Sequence, residues 1–424
     1  MLHGGAMKEK FLYYLWENRL LKGVLMTDQE EPVEIIHPGY RNTNSGPDYL
    51  EARIKTGKQQ WAGHVEIHVK TSDWNRHGHQ HDKAYQNVVL HVVYENDGKV
   101  NGIPVLELKG HFDEHRYEQF EHLMSTRHWI ACERQAGEVS VFTKSTWLER
   151  LAIERLQEKS YVVEHLGKTC CFDWEDALYR LVMRYFGMKV NNEAFETLSS
   201  LLPFKTLLKH ADQLIQLEAM LLGCAGFLET DTDEVYPKLL QREFKIMKAK
   251  FNLITMPEER WKFMRMRPMN FPTVRLAQLA LLIHRHGCLF SKVKEAKTVE
   301  EIQQLFDVQA SDYWDTHYRF SASSPYRHKK LGKETINVLI INAIIPLIFC
   351  YGKFHKAEHY CEKALRFLED LPPEDNTIIR HFEPCGFKAT NAMQSQALLH
   401  LYNHYCRRKR CLECNIGNNL LRGK

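Results

Sequence analysis

The chain has 424 residues, of which 44% are hydrophobic, and its 57 Lys+Arg against 53 Asp+Glu leave a net charge of only +4. That length predicts more than one core, and the balanced charge excludes a chain basic along its whole length and built to coat nucleic acid. Eleven cysteines with no visible export signal point to a reducing cytoplasmic setting and away from a disulfide framework. The longest apolar run, 336–350, is interrupted by Asn337, Asn342 and Pro346, so no membrane span is expected.

In chain order, apolar spacing at Phe11, Leu12, Leu15 and Trp16 predicts a leading helix over 8–22. Ser45-Gly46-Pro47-Asp48-Tyr49 then opens an apolar run, Lys55-Thr56-Gly57-Lys58 reads as a turn, and 59–70 reads as the return strand. In a regular hairpin about Gly57, residue i faces residue 114 − i, which sets Asp48 opposite Glu66. Facing carboxylates repel, and a divalent cation between them is the usual remedy. Strand alternation puts His64, Glu66, His68 and Lys70 on one face and Val65, Ile67 and Val69 on the other. The polar face is suited to metal binding and proton transfer; a plain strand with one solvated face has the same pattern.

The next segment, 72–82, holds Asp73, His77, His79, His81 and Asp82, a spacing that fits no structural zinc template. His77 and His79 are candidate ligands; the alternative is a polar turn capping a helix over 82–87. An apolar strand follows at 87–94 with His91 in its middle, read as a satisfied core histidine or a ligand. After the turn signal Asn96-Asp97-Gly98-Lys99, a further strand is predicted at 103–108. Four or five strands and a helix predict a small mixed α/β sandwich in this part of an α+β protein.

Pro47-Asp48 followed after seventeen residues by Glu66-Ile67-His68 resembles the signature of the PD-(D/E)XK nuclease superfamily. The resemblance implies a restriction-endonuclease-like core in which Asp48 and Glu66 hold Mg²⁺ or Mn²⁺ against a scissile phosphate, with the Ile67 carbonyl as a third ligand. His68 stands where that signature has lysine. Lys70 is placed to substitute for it, or His68 itself binds metal or activates water. The segment 37–93 is also similar to a bacterial family of unknown function (DUF2851-like), on His37-Pro38-Gly39, Asn42, Asn44, Gly46-Pro47-Asp48, Gly63, Val65-Glu66-Ile67-His68, Asp73-Trp74, His77, His79, Asp82, Tyr85 and Leu90-His91-Val92-Val93.

From about residue 116 the pattern turns helical, with helices predicted at 145–164, 174–186, 191–201, 205–222, 233–251, 272–284, 299–306, 333–351, 353–371 and 389–407. The expected organisation is a nuclease-like core over 1–115, a helical domain over 116–384, and a C-terminal helix with a cysteine cluster over 385–424. Basic stretches occur at 245–250, at 327–330, at 407–410 and at Arg260, Lys262, Arg265 and Arg267, the last group interleaved with aromatics. Such stretches suit phosphate backbones, DNA or RNA, or are solvated helix faces. Cys406, Cys411 and Cys414, with Cys385 or His404 as a fourth ligand, have a chelating spacing for structural zinc or an iron–sulfur cluster, with free thiols as the alternative. Lys388 and Gln394, beside a predicted helix start, are further candidate ligand contacts. The functional expectation is a metal-dependent phosphodiesterase acting on nucleic acid. The alternatives are a retired nuclease fold serving as a binding or scaffold protein, and a zinc or iron protein with different chemistry.

Overall fold

The computed structural model describes residues 7–422 and is α+β, with a sheet in its N-terminal part and helices beyond it. It divides into two units, 1–147 together with 402–424, and 148–401. The expected boundaries at 115 and 385 both move, because the last turns belong with the N-terminal core: Leu421 of the Asn415–Arg422 helix is among its buried residues.

The first unit begins with α1 (Glu9–Glu17), shorter than the 8–22 expected, since Arg19 takes a positive φ just past its end. The strands are β1 (Leu25–Met26), β2 (Pro32–His37), β3 (Tyr40–Arg41), β4 (Tyr49–Thr56), β5 (Gln59–Lys70), β6 (Val88–Glu95) and β7 (Val105–Glu107). A short helix α2 (Asp73–Arg76) lies between β5 and β6, and α3 (Glu114–Ser125) follows β7. The seven strands form one sheet in the order β1-β2-β4-β5-β6-β7, with β3 on β4. Pairing is antiparallel through β5 and parallel for β5–β6 and β6–β7. Sequence expected fewer strands because β1 and β3 are two residues long and lack alternation. A bridge from Thr27 to Leu106, supported by Asp28 N–H on the Val105 carbonyl at 2.8 Å, ties the two edges of the sheet together.

One sheet face is apolar. Val65 and Ile67 of β5 and Leu90 and Val92 of β6 join Phe11, Leu12, Leu15 and Trp16 of α1 in a single core with Phe112, Tyr117 and Phe120. Phe11 packs against three of these rings at centroid distances of 5.1–5.8 Å. With that face committed, period-two alternation sends Glu66, His68 and His91 to the other.

The second unit is helical. Trp174–Phe186, Asn192–Leu201, Val235–Phe251 and Pro272–His286 fall close to their predicted ranges. The helix expected at 205–222 is broken into Phe204–Leu208 and Leu214–Cys224, where the polar stretch His210-Ala211-Asp212-Gln213 turns the chain. The apolar run 336–350 belongs to a longer continuous helix, Lys333–Phe354, of 22 residues and mean hydropathy 1.9 in its most apolar window. It is long and apolar enough to cross a bilayer, yet 72% of that window is buried inside the protein, as in a core helix. Its turn at Ile340–Ile344 is π-helical. Pro346 has no N–H to continue the ladder, and the widened turn precedes it. Cys224 and Cys350 are buried among apolar side chains.

Candidate metal centre

The β4–β5 hairpin sets the first half of the site. Near the turn its partners are Thr56↔Gln59 and Ala52↔Gly63, whose numbers sum to 115, one more than the regular hairpin expects; at Tyr49↔Val65 the sum is 114. A bulge between Tyr49 and Ala52, where Glu51 has φ +57°, makes up the difference. Asp48 therefore arrives at Glu66: its N–H donates to Glu66 Oε2 at 3.0 Å, and its Oδ2 accepts the Ile67 N–H at 3.0 Å. Asn42 holds the approach, donating from Nδ2 to the Ser45 and Pro47 carbonyls at 3.1 and 3.0 Å. From α1, the Tyr13 hydroxyl donates to Asp48 Oδ1 at 3.0 Å.

The second half comes from the connection between β5 and β6. Asp73 Oδ2 accepts the Lys70 N–H, which starts α2 as the strand ends. Gly78, at φ +76°, reverses the chain between His77 and His79. Buried Trp74 packs against His79 and His91 at 5.4 and 5.2 Å, and Tyr85 stacks on His79 at 3.9 Å. These contacts turn His79 toward the strand, and His77 meets it through the His68 ring. His68 Nε2 lies 3.2 Å from His77 Nδ1 and 3.4 Å from Glu66 Oε1, and His79 Nε2 lies 3.3 Å from the same Glu66 oxygen. The three imidazole donor atoms all lie within 4.8 Å of one another. His68 and Glu66 are buried, His79 is half-buried and His77 is exposed, so the cluster opens to solvent on one side.

Behind it, His91 sits beside Glu66 in the parallel register, and its Nε2 lies 2.9 Å from His68 Nδ1. The tautomer that places the His68 proton on Nδ1, facing His91, leaves Nε2 with a lone pair toward the cluster. Burial pushes Glu66 up to about 8 and His68 down to about 2, with Asp48 adding to the first and the neighbouring imidazoles to the second. Burial likewise lowers His91 to about 4, lowers His79, and raises Asp48. On α1, burial and the Asp48 charge raise Glu9. Without a cation, burial therefore favours the neutral forms of Glu66, His68 and His91 near pH 7.

Its geometry fits a cation. Metal–ligand bonds of about 2.0–2.1 Å in a tetrahedral shell place neighbouring donors about 3.3–3.4 Å apart, close to the three separations here. His79 Nε2 is buried with no hydrogen-bond partner despite its nearness to Glu66, which leaves an unsatisfied ring nitrogen in the cluster. Three nitrogens and a carboxylate suit Zn²⁺, Fe²⁺ or Mn²⁺ better than Mg²⁺, which prefers oxygen.

A family model described as a protein of unknown function, DUF2851, matches residues 9–377, a span that includes every member of this cluster. The chain belongs to that family. Comparison with curated proteins and with solved structures gave no match in either case.

In this DUF2851 protein the fold brings together Asp48, Glu66, His68, His77 and His79, and not Lys70. Lys70 is exposed and its Nζ lies 3.7 Å from Glu95 Oε2, because β5 ends there and its polar side faces a carboxylate of β6. His81 is exposed and outside the cluster. Arg260, Lys262, Arg265 and Arg267 are all exposed, on a loop that Asn191 pins by two 2.8 Å bonds to Lys262 backbone atoms. In the 327–330 stretch Lys329 is buried instead, its Nζ on the Asp315 and Arg327 carbonyls at 2.9 and 3.0 Å.

Cys411 and Cys414 are buried, with burial raising both thiols, Cys411 to about 11. For Cys414 the backbone N–H groups of Gly417 and Ile416, at the start of the last helix, partly oppose that rise. Among the described residues no group of three cysteines offers sulfurs within 4.8 Å of one another, and Cys385 lies in the second unit, apart in the chain from Cys406, Cys411 and Cys414. Sequence reasoning did not find Tyr13 or the pairing of His91 with His68. The first is one polar atom on an amphipathic helix; the second depends on a parallel register that only the 71–87 connection sets.

Proposed function

We propose that this protein is a metal-dependent hydrolase with Glu66, His68, His77 and His79 as the metal ligands, acting on a phosphodiester of DNA or RNA. The convergence of His68 Nε2 and His79 Nε2 on one Glu66 oxygen, at 3.4 and 3.3 Å, carries the reading. A bound divalent ion supplies Lewis-acid polarisation of a phosphoryl oxygen. Asp48, its pKa raised by burial and its oxygens held by Tyr13 and the Ile67 N–H, is the nearest group for moving a proton. His91 fixes the His68 tautomer. The hairpin that joins Asp48 to Glu66 supports the resemblance to PD-(D/E)XK nucleases, and the nitrogen-rich donor set favours Mn²⁺ or Fe²⁺ over Mg²⁺ in that role.

The experiment is cleavage of a mixed DNA and RNA panel with added Mn²⁺, Fe²⁺, Zn²⁺ or Mg²⁺, comparing wild type with Glu66→Ala, Asp48→Ala and Lys70→Ala. Metal-dependent cleavage lost in the first two variants and kept in the third is expected. Cleavage indifferent to Glu66→Ala overturns the assignment. A second reading, a zinc protein without nuclease activity, is favoured by the three imidazole donors that lie within 4.8 Å of one another, a donor type that zinc sites use. Tight Zn²⁺ with no cleavage under any metal selects it.

A further inference from the structure

The 148–401 unit contains a polar cluster that the metal centre does not use. The helix Val141–Thr169 sets Arg155 and Lys159 one turn apart, and both are directed at a single neutral acceptor. Gln396 Oε1 receives Arg155 Nε at 2.5 Å and Lys159 Nζ at 2.6 Å. Lys159 Nζ also reaches Asn342 Oδ1 at 2.7 Å, and Asn342 lies in the π-helical turn Ile340–Ile344, its own Nδ2 donating to the Val338 carbonyl at 2.8 Å. Turns of this kind are frequent where a helix presents a functional side chain. Buried Gln396 is fixed from its far side, with Nε2 on Glu374 Oε2.

Two cations thus share amide oxygens, and neither has a carboxylate within ion-pair distance among the described residues. Glu374 and Glu158 act on them only at longer range. Burial and the Arg155 charge draw Lys159 down to about 7, the cost of crowding like charges away from water. Arg155 Nη1 and Nη2 make no hydrogen bond among the described residues and are not among the buried atoms left without a partner, so the guanidinium edge is what solvent reaches, while the Lys159 ammonium is enclosed against Gln396 and Asn342. A planar fork with open N–H groups beside a compact ammonium is the donor pair that matches a tetrahedral oxyanion.

We infer that Arg155 and Lys159 form a second ligand site, for an oxyanion of the phosphate class, with Gln396 and Asn342 as positioning residues. Gln396 and Asn342 hold the cations from one side and leave the free guanidinium edge to the ligand. The site is independent of the proposed hydrolase reading and requires no metal.

The test is the rate at which an amine-reactive acylating reagent labels Lys159 in the full-length protein in excess EDTA, followed by peptide mapping. Inorganic phosphate is compared with chloride at equal ionic strength, and a 5′-phosphorylated dinucleotide with its 5′-hydroxyl counterpart. Phosphate is expected to slow Lys159 labelling severalfold while other lysines are unaffected, and Arg155→Gln, with its fold checked by circular dichroism, is expected to abolish the protection. Stronger protection by the 5′-phosphorylated dinucleotide assigns a terminal phosphate; stronger protection by inorganic phosphate assigns the free ion. Equal Lys159 labelling in phosphate and chloride overturns the proposal, and this wild-type comparison decides alone if the variant does not fold. EDTA keeps the result separate from success or failure at the metal centre.

Discussion

At the residue scale, His68 joins the two halves of the centre. One ring nitrogen faces Glu66 and His77 and the other faces His91, so its orientation is set from both sides. Partners behind a metal-ligating histidine fix its tautomer and raise its basicity. Replacing His91 with Phe keeps a ring in the space but removes the acceptor at 2.9 Å from His68 Nδ1. His91→Phe should weaken divalent-metal binding about 10–100-fold, read by competition titration against a chelator; unchanged affinity would show that His91 is only a packed core residue. The sequence shows the polar face Glu66–His68 plainly, because alternation with Val65 and Ile67 fixes both faces. It does not show how His91 is used, since a histidine in an apolar strand reads the same whether it faces a second histidine or a backbone carbonyl.

At the element scale, the centre depends on three strands and one connection staying in register. Gly63 lies close against the start of β6: a Cβ there would lie 2.4 Å from Val89 Cγ1 and 2.6 Å from the Asn87 carbonyl oxygen. The backbone oxygen cannot move without shifting β6, which carries His91. Gly63→Ala is expected to cost about 1–3 kcal/mol, measured by urea unfolding, with weaker metal binding in the same variant. A stability within error of wild type would mean that the strand contact is not as close as described. The hairpin shows how much of an element a sequence reveals. Gly57 marked the turn and β5 spans 59–70 as expected, but the register near the turn is one residue off the simple rule. Only the bulge at Glu51 returns Asp48 to Glu66, and no glycine advertises that positive φ. The stretch 205–222 departs from a single helix for a related reason: its apolar period persists across a polar turn that breaks the backbone.

At the scale of the whole molecule, the buried titratable groups of the metal-free centre make stability depend on pH. Glu66, raised from its ordinary value of 4.5 to about 8, favours folding below 4.5, and that contribution is lost as pH rises toward 8. His68 and His91, lowered from 6.5 to about 2 and 4, favour folding above 6.5, and their contribution is lost as pH falls. Of these three groups, the two imidazoles outweigh the carboxyl between 4.5 and 6.5, so their joint contribution rises with pH; above 6.5 the Glu66 contribution declines to about 8. The slope is at most about 1.4 kcal/mol per pH unit. A bound cation keeps Glu66 ionised and releases its proton, so the rise in Tm produced by saturating Mn²⁺ or Zn²⁺ should grow from pH 6.5 to 8. Thermal unfolding with and without metal checks this; a metal-induced rise in Tm that does not change with pH would place the ion elsewhere. The α+β architecture was legible from composition and period. The grouping of 402–424 with the N-terminal unit was not, because it rests on the burial of side chains such as Leu421 across some 300 residues of intervening chain.

The most direct measurement is anomalous diffraction from crystals grown with Mn²⁺ or Zn²⁺. The proposed centre predicts a single strong peak about 2.0–2.2 Å from donors of Glu66, His68, His77 and His79, with His91 still on His68 Nδ1. A map with no peak there, and with the imidazoles hydrogen-bonded only to one another, would contradict it.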